Sequence, residues 1–253
     1  MFARNYPDVP QRFRHVAGDR LDVLPLSVCG PRGEPLSIDN AWLGARSARR
    51  IVLVTSGLHG VEGFAGSAVQ CAVLEKPPPL APERALVLVH ALNPWGFAHL
   101  RRVNENNVDL NRNFVAAGAR HAGMSPLYAK LDPLLNPRSP PRADAFPLRA
   151  FGYALRYGLA ACRQAIAEGQ YEIAHGLFYG GRSLEEGPAR FVEWLRRSMA
   201  AASELLALDL HTGLGRFGAQ TLYAEPQMPA ERVAHWVRAL DARIEGGLTT
   251  GTN

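Results

Sequence analysis

Residues 51–92 read IVLVTSGLHGVEGFAGSAVQCAVLEKPPPLAPERALVLVHAL, and this stretch decides the fold. Ile51–Thr55 is a short apolar and β-branched run that predicts a buried strand, stopped at Gly57. From Phe64 to Leu74 the small residues of FAGSAVQCAVL predict a helix packed closely on a sheet, ended by the prolines at 77–79. A second apolar run over 85–92 predicts another buried strand. Strand, helix and strand in some forty residues is the βαβ pattern, which places parallel strands side by side under a covering helix.

Working outward, residues 21–54 alternate short apolar runs with turn chemistry, a small antiparallel entry feeding the buried strand at Ile51–Thr55. Residues 93–114 are polar, Asn-rich and without period, so a long loop at the sheet's edge is expected there. Prolines 126, 133, 137, 140, 141 and 147 break the next stretch into short pieces. Helical spacing resumes near 148–168, 188–203 and 229–243, and LLALDLH at 205–211 predicts a third buried strand. The expectation is an α/β protein with a mixed, largely parallel central sheet flanked by helices, in a form that can lack its last strand. With no internal repeat and no low-complexity linker, 1–253 is read as one domain.

Composition narrows the classes. With 47% hydrophobic and 20% charged residues, the 253-residue chain is a packed globular protein and neither disordered nor fibrous. The formal charge of +5 rests almost wholly on arginine, since Lys76 and Lys130 are the two lysines, and the arginines are scattered. No basic stripe marks a nucleic-acid partner. Cys29, Cys71 and Cys162 are odd in number and far apart, which argues against a disulfide framework and fits a reducing, cytoplasmic setting. No stretch approaches the ~18–20 apolar residues that cross a bilayer, and no membrane partner is expected.

The chemistry gathers at strand ends. In SGLHGVEG, His59 and Glu62 stand three apart in a Gly-flanked turn just past the first strand, and imidazole plus carboxylate is a pair that zinc accepts. LDLHTGLG repeats the arrangement, with His211 directly after a strand. Groups at the carboxyl ends of neighbouring strands in an open α/β sheet converge on one crevice, so His211 is the candidate third ligand. Asp209 faces the same side of its strand and is placed to accept the second N–H of His211. Asn111, Arg112 and the upstream Arg101 and Arg102 offer amide and guanidinium donors suited to a carboxylate. Asn93 and Asp109 are read as turn caps, and His15, His90, His99, His121, His175 and His235 as core-edge or surface groups. A serine hydrolase is disfavoured, because no G-x-S-x-G elbow surrounds Ser56.

In that order H-G-V-E (59–62), N-P-W-G-F (93–97), V-D-L-N-R-N-F (108–114) and D-L-H-T-G (209–213) resemble the zinc carboxypeptidase superfamily. The nearest branch looks like its uncharacterised bacterial members, beside succinylglutamate desuccinylases and aspartoacylases. The resemblance covers about residues 36–225. It implies that His59, Glu62 and His211 bind zinc, and that Asn111 with Arg112 holds the substrate's carboxylate. Either Arg101 or Arg102 polarises the scissile carbonyl, with Arg102 favoured. It further implies a hydrolase cleaving an amide bond next to a free carboxylate, as a carboxypeptidase or an N-acyl-amino-acid deacylase. The departure lies after His211, where the superfamily carries a glutamate general base on a strand. Here the acids are Glu225, Glu231, Asp241 and Glu245, none on a predicted strand; Glu245, in a Gly/Thr tail, is a poor substitute in that role. That gap motivates a second expectation, a catalytically silent domain that binds metal and carboxylate.

Overall fold

The computed structural model describes residues 5–116, 118–138, 145–213, 217–224, 228–240 and 243–244. In chain order its elements are α1 (Asp8–Ala17), β1 (Leu21–Cys29), β2 (Pro35–Gly44), β3 (Arg50–Ser56), α2 (Gly63–Glu75) and β4 (Arg84–His90). The short helices α3 (Pro94–Ala98) and α4 (Leu110–Asn113) come next, then α5 (Pro126–Leu135), α6 (Phe146–Tyr157), α7 (Leu159–Glu168) and α8 (Glu186–Ser198). The remaining elements are β5 (Glu204–Leu210), β6 (Thr221–Leu222), α9 (Ala230–Leu240) and β7 (Arg243–Ile244). They divide into two compact units, the first comprising Met1–Gly123, Tyr171–His175 and Tyr179–Thr212, the second Met124–Gln170, Gly176–Phe178 and Gly213–Asn253.

The first unit is a five-stranded sheet in the order β1-β2-β4-β3-β5. β1 and β2 form the antiparallel entry, β2 runs antiparallel to β4, and β3 lies between β4 and β5 with both parallel to it. Four strands therefore share one direction and the sheet is mixed and largely parallel, as the apolar runs predicted.

Side chains alternate faces along each strand, and the two sets belong to different cores. Ile38, Trp42, Ile51, Leu53, Val87 and Val89 meet Phe191 and Trp194 of α8 on one face. Ala41, Leu43 and Leu88 meet Phe13 and Ala17 of α1 and Cys71 and Leu74 of α2 on the other. α8 presents Phe191, Trp194 and Leu195 at helical spacing, with Arg196 and Arg197 in its last turn, where they complement the helix dipole. Full burial of an anchor such as Phe13 contributes ~1.5–3 kcal/mol. Buried Gln70 ties α2 to the strands, donating to the carbonyls of Val54 and Val89 at 3.0 Å each and accepting from Ser56 Oγ at 3.0 Å.

Three expectations change in detail. The strand expected to be buried over 205–211 forms as β5 but is exposed to half-exposed, because among the described strands it pairs on one side only, with β3. The loop over 93–114 contains two helical turns, because Asn93 and Asp109 each accept a backbone N–H and nucleate α3 and α4. The helical pattern over 148–168 is two helices, broken at Gly158, whose φ of +84° lies outside the helical region.

In the second unit, α5, α6 and α7 close around Leu131, Cys162 and Ala165. The prolines of this region do not prevent α5 from forming: Pro126 occupies its first turn beneath the Ser125 cap, and Pro133 lies inside its last. The three cysteines are free. Among the described residues no helix is long and apolar enough to cross a membrane.

Candidate metal centre

β3 and β5 are hydrogen-bonded neighbours in parallel register, with Ser56 opposite Leu210. His211 is the first residue past β5, and His59 lies three past β3. That adjacency brings together groups 152 positions apart in sequence, at one end of the sheet.

Glu62 ends a tight turn over Gly60–Glu62. The turn is fastened by Glu62 N–H to His59 O at 2.9 Å and by Val61 N–H to Arg101 O at 3.1 Å. It presses so closely on α3 that a Cβ at Gly60 would stand 2.1 Å from the carbonyl carbon of Gly96. Only glycine fits there.

The resulting cluster is His59, Glu62 and His211, whose ligand atoms all lie within 4.8 Å of one another. His59 Nδ1 is 3.0 Å from Glu62 Oε1, and His211 Nδ1 is 3.4 Å from Glu62 Oε2. Ligands held at about 2.1 Å around a tetrahedral zinc stand roughly 3.4 Å apart, close to both His–Glu62 distances. Both imidazoles turn the same nitrogen, Nδ1, toward the shared point.

Their outer nitrogens face carboxylates. His211 Nε2 is 2.5 Å from Asp209 Oδ2, and His59 Nε2 is 3.4 Å from Asp109 Oδ1. The His211–Asp209 bond keeps the proton on Nε2 and frees Nδ1 as a lone-pair donor, the arrangement that orients metal-binding histidines; His59 Nε2 is buried beside Asp109 without a hydrogen bond. Asp209 is itself held by Thr55 Oγ1, which donates to its Oδ1 at 2.6 Å. Glu62 is further fixed by the Thr212 N–H at 2.7 Å.

The charges are strongly coupled. Burial pushes the Glu62 carboxyl up, but hydrogen bonds from His211, His59 and Thr212 outweigh it and hold the group well below the usual carboxylate range. Asp109 behaves alike: burial raises it, and His59, Arg112 and Arg102 more than reverse the effect. Burial lowers the His211 imidazolium, yet the carboxylates of Asp209 and Glu62 push it up to about 10. Three carboxylates thus surround two imidazoles, one of them, Asp109, also paired with Arg102 and Arg112.

The candidate arginines separate. Arg101 is exposed; its carbonyl accepts the Val61 N–H of the turn and its N–H donates to the Gly96 carbonyl of α3 at 2.7 Å. Arg102 faces the cluster, with Nε 3.2 Å from Asp109 Oδ2 and NH1 3.9 Å from Glu62 Oε1. Arg112 is nearly buried and donates from NH1 to Asp109 Oδ2 at 2.6 Å. Asn111 gives its N–H to Asp109 Oδ1 at 3.1 Å and leaves its side chain exposed. Asp109 is thus a helix cap, as expected, and in addition the hub joining His59, Arg102 and Arg112. Its signal was its place two residues before Asn111-Arg112.

The other histidines lie elsewhere: His90 is stacked on Phe13 in the core, and His99 on Trp95. Of the acids after His211, Glu231 is exposed on α9, whereas Glu225, Asp241 and Glu245 fall outside the described residues.

A family model for a protein of unknown function (DUF2817) matches residues 2–249. The chain belongs to the DUF2817 family. No curated protein matches this DUF2817 sequence. Among solved structures, bovine thrombin-activatable fibrinolysis inhibitor, in complex with tick carboxypeptidase inhibitor, is similar at 12% identity and TM-score 0.54, over 98% of this chain and 76% of that one. Carboxypeptidase A from Helicoverpa armigera is similar at 16% identity and TM-score 0.50, over 96% and 57%. Murein-tripeptide amidase MpaA from Escherichia coli O157 gives 19%, 0.48, 92% and 76%. From the first two of these, the DUF2817 chain has a carboxypeptidase-like fold. It spans between 57% and 76% of the lengths of the three structures.

Proposed function

We propose that this protein is a zinc-dependent hydrolase that cleaves an amide bond adjacent to a free carboxylate, in a small peptide or an N-acyl amino acid. One observation carries the reading: the Nδ1 atoms of His59 and His211 converge on Glu62 while a carboxylate backs each Nε2. That combination suits a metal-binding centre, whose histidines are commonly oriented by carboxylates behind them. The carboxypeptidase-like fold supports it.

His59, Glu62 and His211 hold the ion, which when bound supplies Lewis acidity toward a carbonyl and toward water. Arg102, half-exposed beside the cluster, offers its guanidinium to the oxygen on which charge develops, and preorganised donors of this kind contribute about 10²–10³ in rate. Asn111 and Arg112 sit on the next turn and offer amide and guanidinium donors to the substrate's terminal carboxylate. The general base is assigned to no described residue.

The test is hydrolysis of hippuryl-type dipeptides and of N-acyl amino acids, with metal analysis of the purified chain. The reading expects one zinc per chain and turnover that chelator abolishes and zinc restores. Chelator-insensitive turnover would remove the metal from the reaction. One zinc per chain without turnover of either substrate class would leave a silent binding domain.

A further inference from the structure

The turn that carries Asp109, Asn111 and Arg112 has no place in the sheet. It is held by a distant segment of the same unit, residues 179–185. The Tyr179 carbonyl accepts the Asp109 N–H at 2.7 Å. Asn113, fully buried, donates through Nδ2 to the carbonyls of Gly180 at 2.9 Å and Ser183 at 2.8 Å. Its Oδ1 accepts the Glu185 N–H at 2.9 Å. The Glu185 carboxylate in turn accepts from Asn104 Nδ2 at 2.8 Å and Asn106 Nδ2 at 2.7 Å, in the middle of the same loop.

Every bond named for Asn113 needs the amide. Two carbonyls require its two N–H donors and one N–H requires its oxygen, so aspartate or leucine at this position leaves buried groups unmatched. The fit is close: Gly181 has φ of +86°, and a Cβ there would stand 2.8 Å from Asn113 Nδ2. Tyr171, also in this unit, donates its hydroxyl to the Arg112 carbonyl at 2.8 Å. The donors assigned to the substrate carboxylate are thus set by a scaffold some seventy residues downstream.

We propose that Asn113, locked onto residues 179–185 and aided by Glu185, is the positioning residue that aims Asn111 and Arg112 at the substrate's free carboxylate. This rests on the function proposed above. Asn113 does not touch the substrate; it acts through the turn. Its loss therefore weakens recognition of the carboxylate, while the three candidate ligands, carried by β3, β5 and the turn over Gly60–Glu62, stay in place and only Asp109 behind His59 shares the disturbed turn.

The experiment compares a free-acid N-acyl amino acid with its methyl ester, in wild type and in Asn113→Ala, Glu185→Ala and Glu185→Gln. Zinc content and thermal midpoint are measured alongside. Asn113→Ala is expected to raise KM for the free acid roughly ten- to hundredfold, to change kcat little, and to erase most of the preference for acid over ester. Glu185→Ala is expected to do the same more weakly, and Glu185→Gln, which keeps an acceptor, to restore wild-type behaviour. An unchanged acid-to-ester ratio together with a lowered thermal midpoint overturns the proposal, since a merely structural residue gives that result. If Asn113→Ala does not fold, the two Glu185 variants decide by the same ratio. A wild type that does not prefer acid over ester refutes the assignment of Asn111 and Arg112 instead.

Discussion

The imidazole rings of His59 and His211 stand 4.9 Å apart, centroid to centroid, and are inclined at 68°. Each turns Nδ1 toward Glu62 and Nε2 toward an aspartate, so a carboxylate backs each candidate ligand. The two aspartates differ in burial: Asp109 is 0% exposed and Asp209 is 31% exposed.

That difference separates two variants. Asp209→Asn is expected to weaken zinc binding roughly 10–100-fold through loss of the charge behind His211, with little change in stability. Asp109→Asn removes the charge behind His59 and the partner of nearly buried Arg112, so it adds an expected loss of about 3–5 kcal/mol. Zinc competition against a chromophoric chelator and urea unfolding read the two effects. Equal stability losses in the two variants would contradict the assignment.

Arg102 tests rate without binding. Arg102→Ala leaves Arg112 on Asp109 and removes a guanidinium that is 39% exposed, so stability changes by under about 1 kcal/mol. On the proposed mechanism kcat falls about 10²–10³-fold at nearly constant zinc affinity. Steady-state kinetics alongside metal titration check it, and a full-rate variant rules Arg102 out.

Gly60→Ala tests the turn itself. The new methyl meets the Gly96 backbone rather than a flexible side chain, so relief requires the turn or α3 to move. An overpacking loss of ~1–3 kcal/mol is expected, with weaker zinc binding because Glu62 moves with the turn. A wild-type thermal midpoint would show that the contact is relieved more cheaply.

The buried His90 predicts acid sensitivity apart from the metal centre. Burial lowers its imidazolium from 6.5 to about 4. The unfolded chain takes up the proton first, so this contribution is complete above about pH 6.5 and is lost as the pH falls toward about 4. The slope approaches ~1.4 kcal/mol per pH unit between those limits. Urea unfolding across pH 4–7 shows it, and His90→Leu is expected to flatten this component.

Much of the fold was legible in the chain. The runs at 51–55 and 85–92 announced two buried strands; the run at 205–211 also forms a strand, but a half-exposed one rather than the buried strand expected, and the ends of β3 and β5 carried His59 and His211. Parallel neighbouring strands then required convergence, because their carboxyl ends share one edge. Asn93 and Asp109 were legible as caps, since a short side chain before a turn accepts a nearby N–H. The role of Asp109 behind His59 was not legible: no period relates position 59 to position 109. Nor does any local signal at Tyr179, Gly180 or Glu185 announce that they hold the turn at 109–113. The helix over Pro126–Leu135 was hidden by its prolines, although Pro126 starts it, where a missing N–H is tolerated, and Pro133 lies in its last turn.

By itself the sequence determined which segments become strands and helices, and which side chains lie at strand ends, because periodicity and turn chemistry act over a few residues. Only the tertiary structure decided that β3 and β5 are adjacent, that Asp109 meets His59, and that Asn113 grips residues 179–185. Those are pairings between buried polar groups far apart in the chain, and each becomes specific only once packing has excluded water and left one partner within reach.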